Sequence, residues 1–145
     1  MNESKLDVKK RAVIEIAENL FLSQGLATTE MKEIARCASI SRSTLYRMFD
    51  SRETLAFAVA DKCLHELFDP KPMEIYGTDR SGFEILRSYS SNLIETMIQG
   101  VRYVKYLSEF DQMFSGDYPD TPEARKYVQF NRQRHDRQIL LNILR

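Results

Sequence analysis

The sequence predicts an all-α fold. Apolar residues recur three and four positions apart in one segment after another. Glycine and proline fall between those segments, and no stretch alternates apolar and polar residues as a half-buried strand would.

The elements follow in order. Val13, Ile14, Ala17, Leu20 and Phe21 form a first helical stripe, and Gly25 suits the left-handed position past its end. Thr28 and Thr29 offer an N-cap for a second helix of about ten residues carrying Met31, Ile34, Ala35 and Ala38. After a break at Ser39-Ile40, Ser41 can cap a third helix ending near Phe49. Asp50 or Ser51 caps a fourth, with Glu53 in its first turn and Leu55, Val59, Cys63, Leu67 and Phe68 along one face. Pro70 and Pro72 mark a linker running from Asp69 to about Asp79. A fifth helix is predicted from Gly82 to Gln99, with Phe83, Leu86, Leu93 and Met97 inward. Gly100 interrupts, and a sixth pattern uses Val101, Val104, Leu107 and Phe114. SGDYPD reads as a loop, and Thr121-Pro122 as a cap followed by proline at the first helical position. The last pattern runs to Arg145 with Ile139, Leu140, Ile143 and Leu144 not yet matched to a packing surface.

A 43% hydrophobic and 29% charged composition belongs to a globular protein. Lys and Arg (21) balance Asp and Glu (21), so total charge announces no partner. The distribution is uneven: residues 55–120 carry 6 basic and 11 acidic side chains, and residues 121–145 carry 6 and 2. Between 39 and 52 the charges are Arg42, Arg47, Arg52 and Asp50, so that stretch is locally basic. There is no signal peptide and no long apolar run, which predicts a cytoplasmic chain with no membrane segment. Cys37 and Cys63 are then expected to be reduced and to lie on packed helix faces; a thiol switch through Cys37 is a minor reading. His65-Glu66 lacks the second histidine of a zinc-hydrolase motif, and His135 stands far from any cysteine. With no glycine-rich phosphate loop and no serine elbow, no enzyme, metal or cofactor is expected.

Two short helices joined by a tight turn, residues 29–49, have the layout of a helix-turn-helix. Winding residues 42–49 at about 100° per residue with Leu45 inward puts Met48 and Phe49 on the packed side. Ser43 and Arg47 then point outward, with Thr44 and Tyr46 on the flanks and Arg42 in the first turn. The outer arc holds hydroxyls, a phenol and guanidinium groups, with no carboxylate. Arginine can donate two bonds to guanine or clamp a phosphate, and hydroxyls at a helix start such as Ser41 can bind phosphate. Serine-rich caps and a tyrosine at helical spacing are equally at home in an ordinary helix, so composition alone leaves the two readings level.

The spacing is more specific. Residues 11–57, RAVIEIAENLFLSQGLATTEMKEIARCASISRSTLYRMFDSRETLAF, resemble the N-terminal DNA-binding region of the TetR family of bacterial transcriptional regulators. The family pattern is met at Ile14, Ala17, Leu20, Phe21, Gly25, Thr28, Thr29, Ile34, Ala35, Ala38, Thr44, Leu45, Tyr46 and Phe49. The resemblance implies a helix-turn-helix DNA-binding domain at residues 1–50. A connecting helix would join it to a helical regulatory domain at 51–145, for ligand binding and dimerisation. It implies DNA contacts from Thr29, Arg42, Ser43, Thr44, Tyr46 and Arg47, with Arg52 near the phosphate backbone. Ser39 replaces the family's turn glycine, at a cost of ~1 kcal/mol if its angle is left-handed. Family members usually run longer, with the dimer helices last. The expectation at this end is twofold, that the chain is truncated at its C-terminus or that a partner covers it, and whether it dimerises as given stays open.

A small-molecule pocket is expected from Tyr89, Met97, Tyr103, Tyr106, Phe110, Met113 and Phe114, suited to an apolar or cationic ligand. The same residues could simply be core; Glu109 and Asp111 are expected to be solvated. The leading expectation is a ligand-responsive repressor. It would bind a palindromic double-stranded DNA operator as a homodimer through its C-terminal helices and answer to an unknown small-molecule effector. The alternative is a helix-turn-helix protein-interaction adaptor, or a truncated regulator that does not bind DNA productively.

Overall fold

A computed structural model of the chain describes residues 4–68, 80–114 and 116–134. The linker expected at 69–79, His135 and the apolar set Ile139, Leu140, Ile143 and Leu144 lie outside these residues. The described residues form seven helices and no strand: α1 Lys5–Gln24, α2 Met31–Cys37, α3 Arg42–Met48, α4 Arg52–Phe68, α5 Gly82–Gln99, α6 Val101–Phe114 and α7 Pro122–Arg134. Among the described residues no helix is long and apolar enough to cross a membrane.

α4 is the spine. Thr54, Leu55, Ala56, Phe57, Val59, Ala60, Cys63, Leu64 and Leu67 are all buried along it, and it packs against α1, α5, α6 and α7. Phe57 stands at the centre of an aromatic cluster with Phe110, Phe114, Tyr118 and Tyr127, the ring centroids 4.7 to 5.8 Å apart. Removing a ring of this size from water stabilises the fold by roughly 1.5–3 kcal/mol, and edge-on contacts add to it. Phe21 of α1 stacks on Tyr106 of α6, so one core runs from the N-terminal helices to α7.

The helix ends follow the sequence closely, with one exception. Ser41, Ser51, Ser81 and Thr121 each accept a backbone N–H three residues on, from Thr44, Thr54, Glu84 and Ala124. Ser81 and Glu84 complete a capping box. The exception is α2: Glu30 stands at its N-cap and its side chain makes no capping bond. Thr28 and Thr29 cap nothing there, because their hydroxyls donate back to carbonyls at the end of α1, Gln24 and Gly25 respectively. With its start displaced, α2 has 7 residues, fewer than the expected ten.

α5 is turned differently from expectation. Ile85 is its buried residue, while Phe83 (74% exposed) and Leu86 face outward, Leu93 is half-buried and Met97 is exposed in the wall of a cavity that α5 shares with α4, α6 and α7. Val101, expected inward on α6, is also exposed. α5 is apolar on several sides, so periodicity could not select the face that meets α4 and α6. At Gly100 a Cβ would come within 2.2 Å of Leu67 Cδ2, so the α5–α6 junction closes on α4 at a position where any side chain would have to push Leu67 aside.

Candidate nucleic-acid interface

α2 and α3 are fastened to α1 by their apolar faces: Ile34, Ala35, Leu45 and Phe49 are at most 2% exposed. The turn between them is a Schellman end to α2. Ile40 N–H donates to Ala35 O and Ser39 N–H to Arg36 O, with Ser39 at φ 53° in the left-handed region. The anticipated strain at Ser39 is therefore present.

This fastening turns one side of α3 outward. Ser41, Arg42, Ser43, Tyr46 and Arg47 are exposed and Thr44 is half-exposed. Ser41 Oγ lies 2.9 Å from Ser43 Oγ and 2.8 Å from Thr44 Oγ1, so three hydroxyls share one network at the helix start. On α2, Arg36 is exposed, and Lys32 pairs with Glu30 at 2.8 Å. The hydrogen bond and charge of that lysine hold the Glu30 carboxyl below its usual range. The outer surface thus offers guanidinium, hydroxyl and phenol groups, with a nearby acid already matched.

Two of the expected contacts are placed otherwise. Thr29 is completely buried, its hydroxyl donating to Gly25 O at 2.8 Å, so its side chain is not on the outer arc. Arg52 is half-buried and its Nη1 donates to Ala27 O at 3.3 Å, tying the start of α4 to the α1–α2 turn.

The expected pocket is likewise rearranged. A cavity of about 480 Å³ opens between α4, α5, α6 and α7, lined by Leu64, Leu67, Met97, Val104, Leu107 and Asp111 among others. Of the seven predicted residues, Met97 lines it. Tyr106 and Phe110 are buried against α4 instead, because the Tyr106 hydroxyl finds its acceptor there, Ala56 O at 3.0 Å. Burial raises the Tyr106 phenol well above its usual range. Phe114 packs on Phe57, Tyr103 lies against the Arg102 guanidinium at 4.6 Å, Met113 is exposed, and Tyr89 is half-buried outside the cavity lining. Glu109 and Asp111 are both engaged rather than simply solvated: Glu109 Oε1 accepts from Ala27 N–H (3.2 Å) and Asp111 Oδ1 from the Tyr127 hydroxyl (3.1 Å). No local spacing announces the first of these, which joins residues 82 positions apart.

Cys37 is exposed on α2, not packed; Cys63 is fully buried. Among the described residues no group of three or more His, Cys, Asp or Glu side chains is placed to hold a metal ion.

A sequence model of bacterial regulatory proteins of the tetR family matches residues 13–59, the span from α1 into α4. The chain carries a tetR-family helix-turn-helix. An uncharacterized HTH-type transcriptional regulator of Mycobacterium tuberculosis is 50% identical over 46 residues, which is 32% of this chain and 23% of that protein. The HTH-type transcriptional repressor KstR2 of Rhodococcus jostii is 33% identical over 60 residues, covering 41% and 29%. These matches span under a third of the curated relatives' length. Among solved structures, the Flavonoid-responsive Regulator FrrA superposes with a TM-score of 0.61 at 27% identity, covering 85% of this chain and 60% of that one. A tetR-family transcription regulator from Shewanella superposes at 0.56 over 93% of this chain, at 23% identity, and shares the all-helical fold beyond the tetR-family unit. The proteins matched are named as regulators or repressors, two of them of the HTH type.

Proposed function

We propose that this chain binds double-stranded DNA in a sequence-specific way as a ligand-responsive transcriptional repressor of the cytoplasm, acting as a homodimer on a palindromic operator. The observation that carries the reading is the outer arc of α3: Ser41, Arg42, Ser43, Tyr46 and Arg47 all exposed while Leu45 is fully buried. In a major groove, arginine reads guanine, and hydroxyls and the phenol hold phosphates. Residues 1–50 serve as the DNA-binding part and residues 51–145 as the regulatory part. With its Nη1 on Ala27 O, Arg52 keeps further guanidinium N–H groups for a phosphate.

The cavity supports the ligand-responsive element. Its walls are mainly apolar and Asp111 gives it one acidic edge. That suits a molecule with an apolar body and a hydrogen-bond donor or cation at one end. A relative named for its response to flavonoids supports an effector of aromatic, hydroxylated type.

The adaptor reading has one observation in its favour: Phe83, Ile94, Ile98 and Val101 form an exposed apolar run from α5 into α6. Light scattering combined with selection from a random duplex pool separates the two. A dimer that enriches a palindrome with half-sites about one helical turn apart supports the repressor. A chain that stays monomeric and enriches no duplex supports the adaptor.

A further inference from the structure

The α1–α2 turn is held at a single residue by two different helices. Ala27 N–H donates to Glu109 Oε1 of α6 at 3.2 Å, and Ala27 O accepts from Arg52 Nη1 at the first residue of α4 at 3.3 Å. The turn lies between the end of α1, where Gly25 takes φ 97°, and the start of α2. Its next residues are equally fastened, since Thr28 and Thr29 bond back to α1. Whatever moves Ala27 therefore moves the base on which α2 and α3 stand.

α6 connects this residue to the cavity. Val104, Ser108, Asp111 and Gln112 line the cavity along one side of α6. Glu109 stands about 200° around the helix from Asp111, on the side that meets the α1–α2 turn. A bond of 3.2 Å is already near the outer limit for an N–H to a carboxylate, so a shift of α6 by about half an ångström would break it.

We propose that Glu109 is a positioning residue, whose hold on the Ala27 peptide transmits occupancy of the cavity from α6 to the α1–α2 turn and to Arg52. This deepens the ligand-responsive reading and rests on it. An occupied cavity displaces α6, the Glu109 bond opens, and the turn and Arg52 are freed together. The DNA-facing arc of α3 then loses its fixed relation to α4.

Amide hydrogen exchange on the full chain tests the clamp with no effector in hand. Glu109→Ala should speed exchange at Ala27 about three- to tenfold, the worth of one such bond, while Val59 in α4 is unchanged. Glu109→Gln keeps a carbonyl oxygen as acceptor and should stay within about twofold of the wild type. Ser108→Trp, with its ring in the cavity, stands in for a ligand. It should speed Ala27 exchange in the wild type and add nothing in the Glu109→Ala background. Unchanged exchange in Glu109→Ala overturns the clamp. Equal effects of Ser108→Trp in both backgrounds overturn the transmission. If Ser108→Trp does not fold, Ser108→Leu is read the same way. None of these readouts involves DNA, so a chain that fails to bind any duplex and a clamp that does not exist give different results.

Discussion

Lys62 of α4 donates to the carboxylate of Glu18 on α1, a side chain only 6% exposed, and also reaches Glu66 at 3.3 Å. Burial works against the charge on Lys62, but the hydrogen bonds and charges of Glu18 and Glu66 outweigh it and raise its pKa. The two ends of this pair should not be equivalent. Lys62→Met strands a buried carboxylate and should cost about 2–4 kcal/mol, whereas Glu18→Gln leaves a neutral acceptor for the ammonium and should cost about 1 kcal/mol. Urea denaturation of the two variants measures the difference. Equal losses would mean that the carboxylate of Glu18 finds water once its partner is gone.

On α3, Arg47→Ala should weaken binding to the selected operator by about 10- to 100-fold, the worth of a bidentate base contact, with no loss of stability. Tyr46→Ala should weaken it less and across all sequences, as expected of a side chain 46% exposed on the flank of the arc. Anisotropy titrations on matched and mismatched duplexes distinguish the two patterns. Affinity untouched by both substitutions would remove α3 from the interface.

Salt dependence provides an independent check. A dimer making roughly six to eight phosphate contacts should show a log–log slope of about −5 to −7. A slope near zero would be incompatible with binding through phosphates at all.

Local signals were legible where one turn of chain decides the outcome. The caps at Ser41, Ser51 and Thr121, the inward side of α3 and the left-handed residue at Ser39 all depend on neighbours within four positions. The threonine pair misled because a hydroxyl between two helices can serve either end, and here the carbonyls of α1 took both. The facing of α5 and the placement of Tyr106 and Phe110 were not legible, since aromatics at helical spacing fit a cavity wall and a core equally well. What separates them is a distant acceptor, Ala56 O, and a distant ring, Phe57. Glu109 was invisible for the same reason: its partner lies in another part of the sequence.

The junction between α5 and α6 should be intolerant of any side chain. Gly100→Ala places a methyl 2.2 Å from Leu67 Cδ2 and 3.2 Å from Thr96 O. Leu67 is buried beneath it and must turn its side chain toward the neighbouring cavity, so the substitution should destabilise by about 1–3 kcal/mol. Gly116→Ala is the contrasting case: space is open there, and the cost is that of a φ of 83° alone. Calorimetry on the pair separates crowding from backbone strain. A smaller loss for Gly100 than for Gly116 would mean that α5 swings away from α4 without penalty.

Cys63 and Cys37 should differ in reactivity and in their effect on alkaline stability. Burial, with the Glu18 charge adding to it, pushes the Cys63 thiol up to about 12 from an ordinary 9.0, whereas Cys37 is exposed. At pH 8, iodoacetamide should therefore modify Cys37 in the folded chain and reach Cys63 only after denaturation. The same shift fixes a sign. Below pH 9 the thiol is protonated in both states and contributes no pH dependence. Between about 9 and 12 the unfolded chain releases its proton and the folded chain keeps it. Stability then falls as pH rises, by at most about 1.4 kcal/mol per unit from this group. Cys63→Ala should flatten that alkaline limb while lowering stability at pH 7 through the small cavity it leaves. Denaturation curves at pH 8, 9, 10 and 11 measure it; an equally steep limb in wild type and variant would assign the alkaline loss to other groups, with Tyr106 the first to examine.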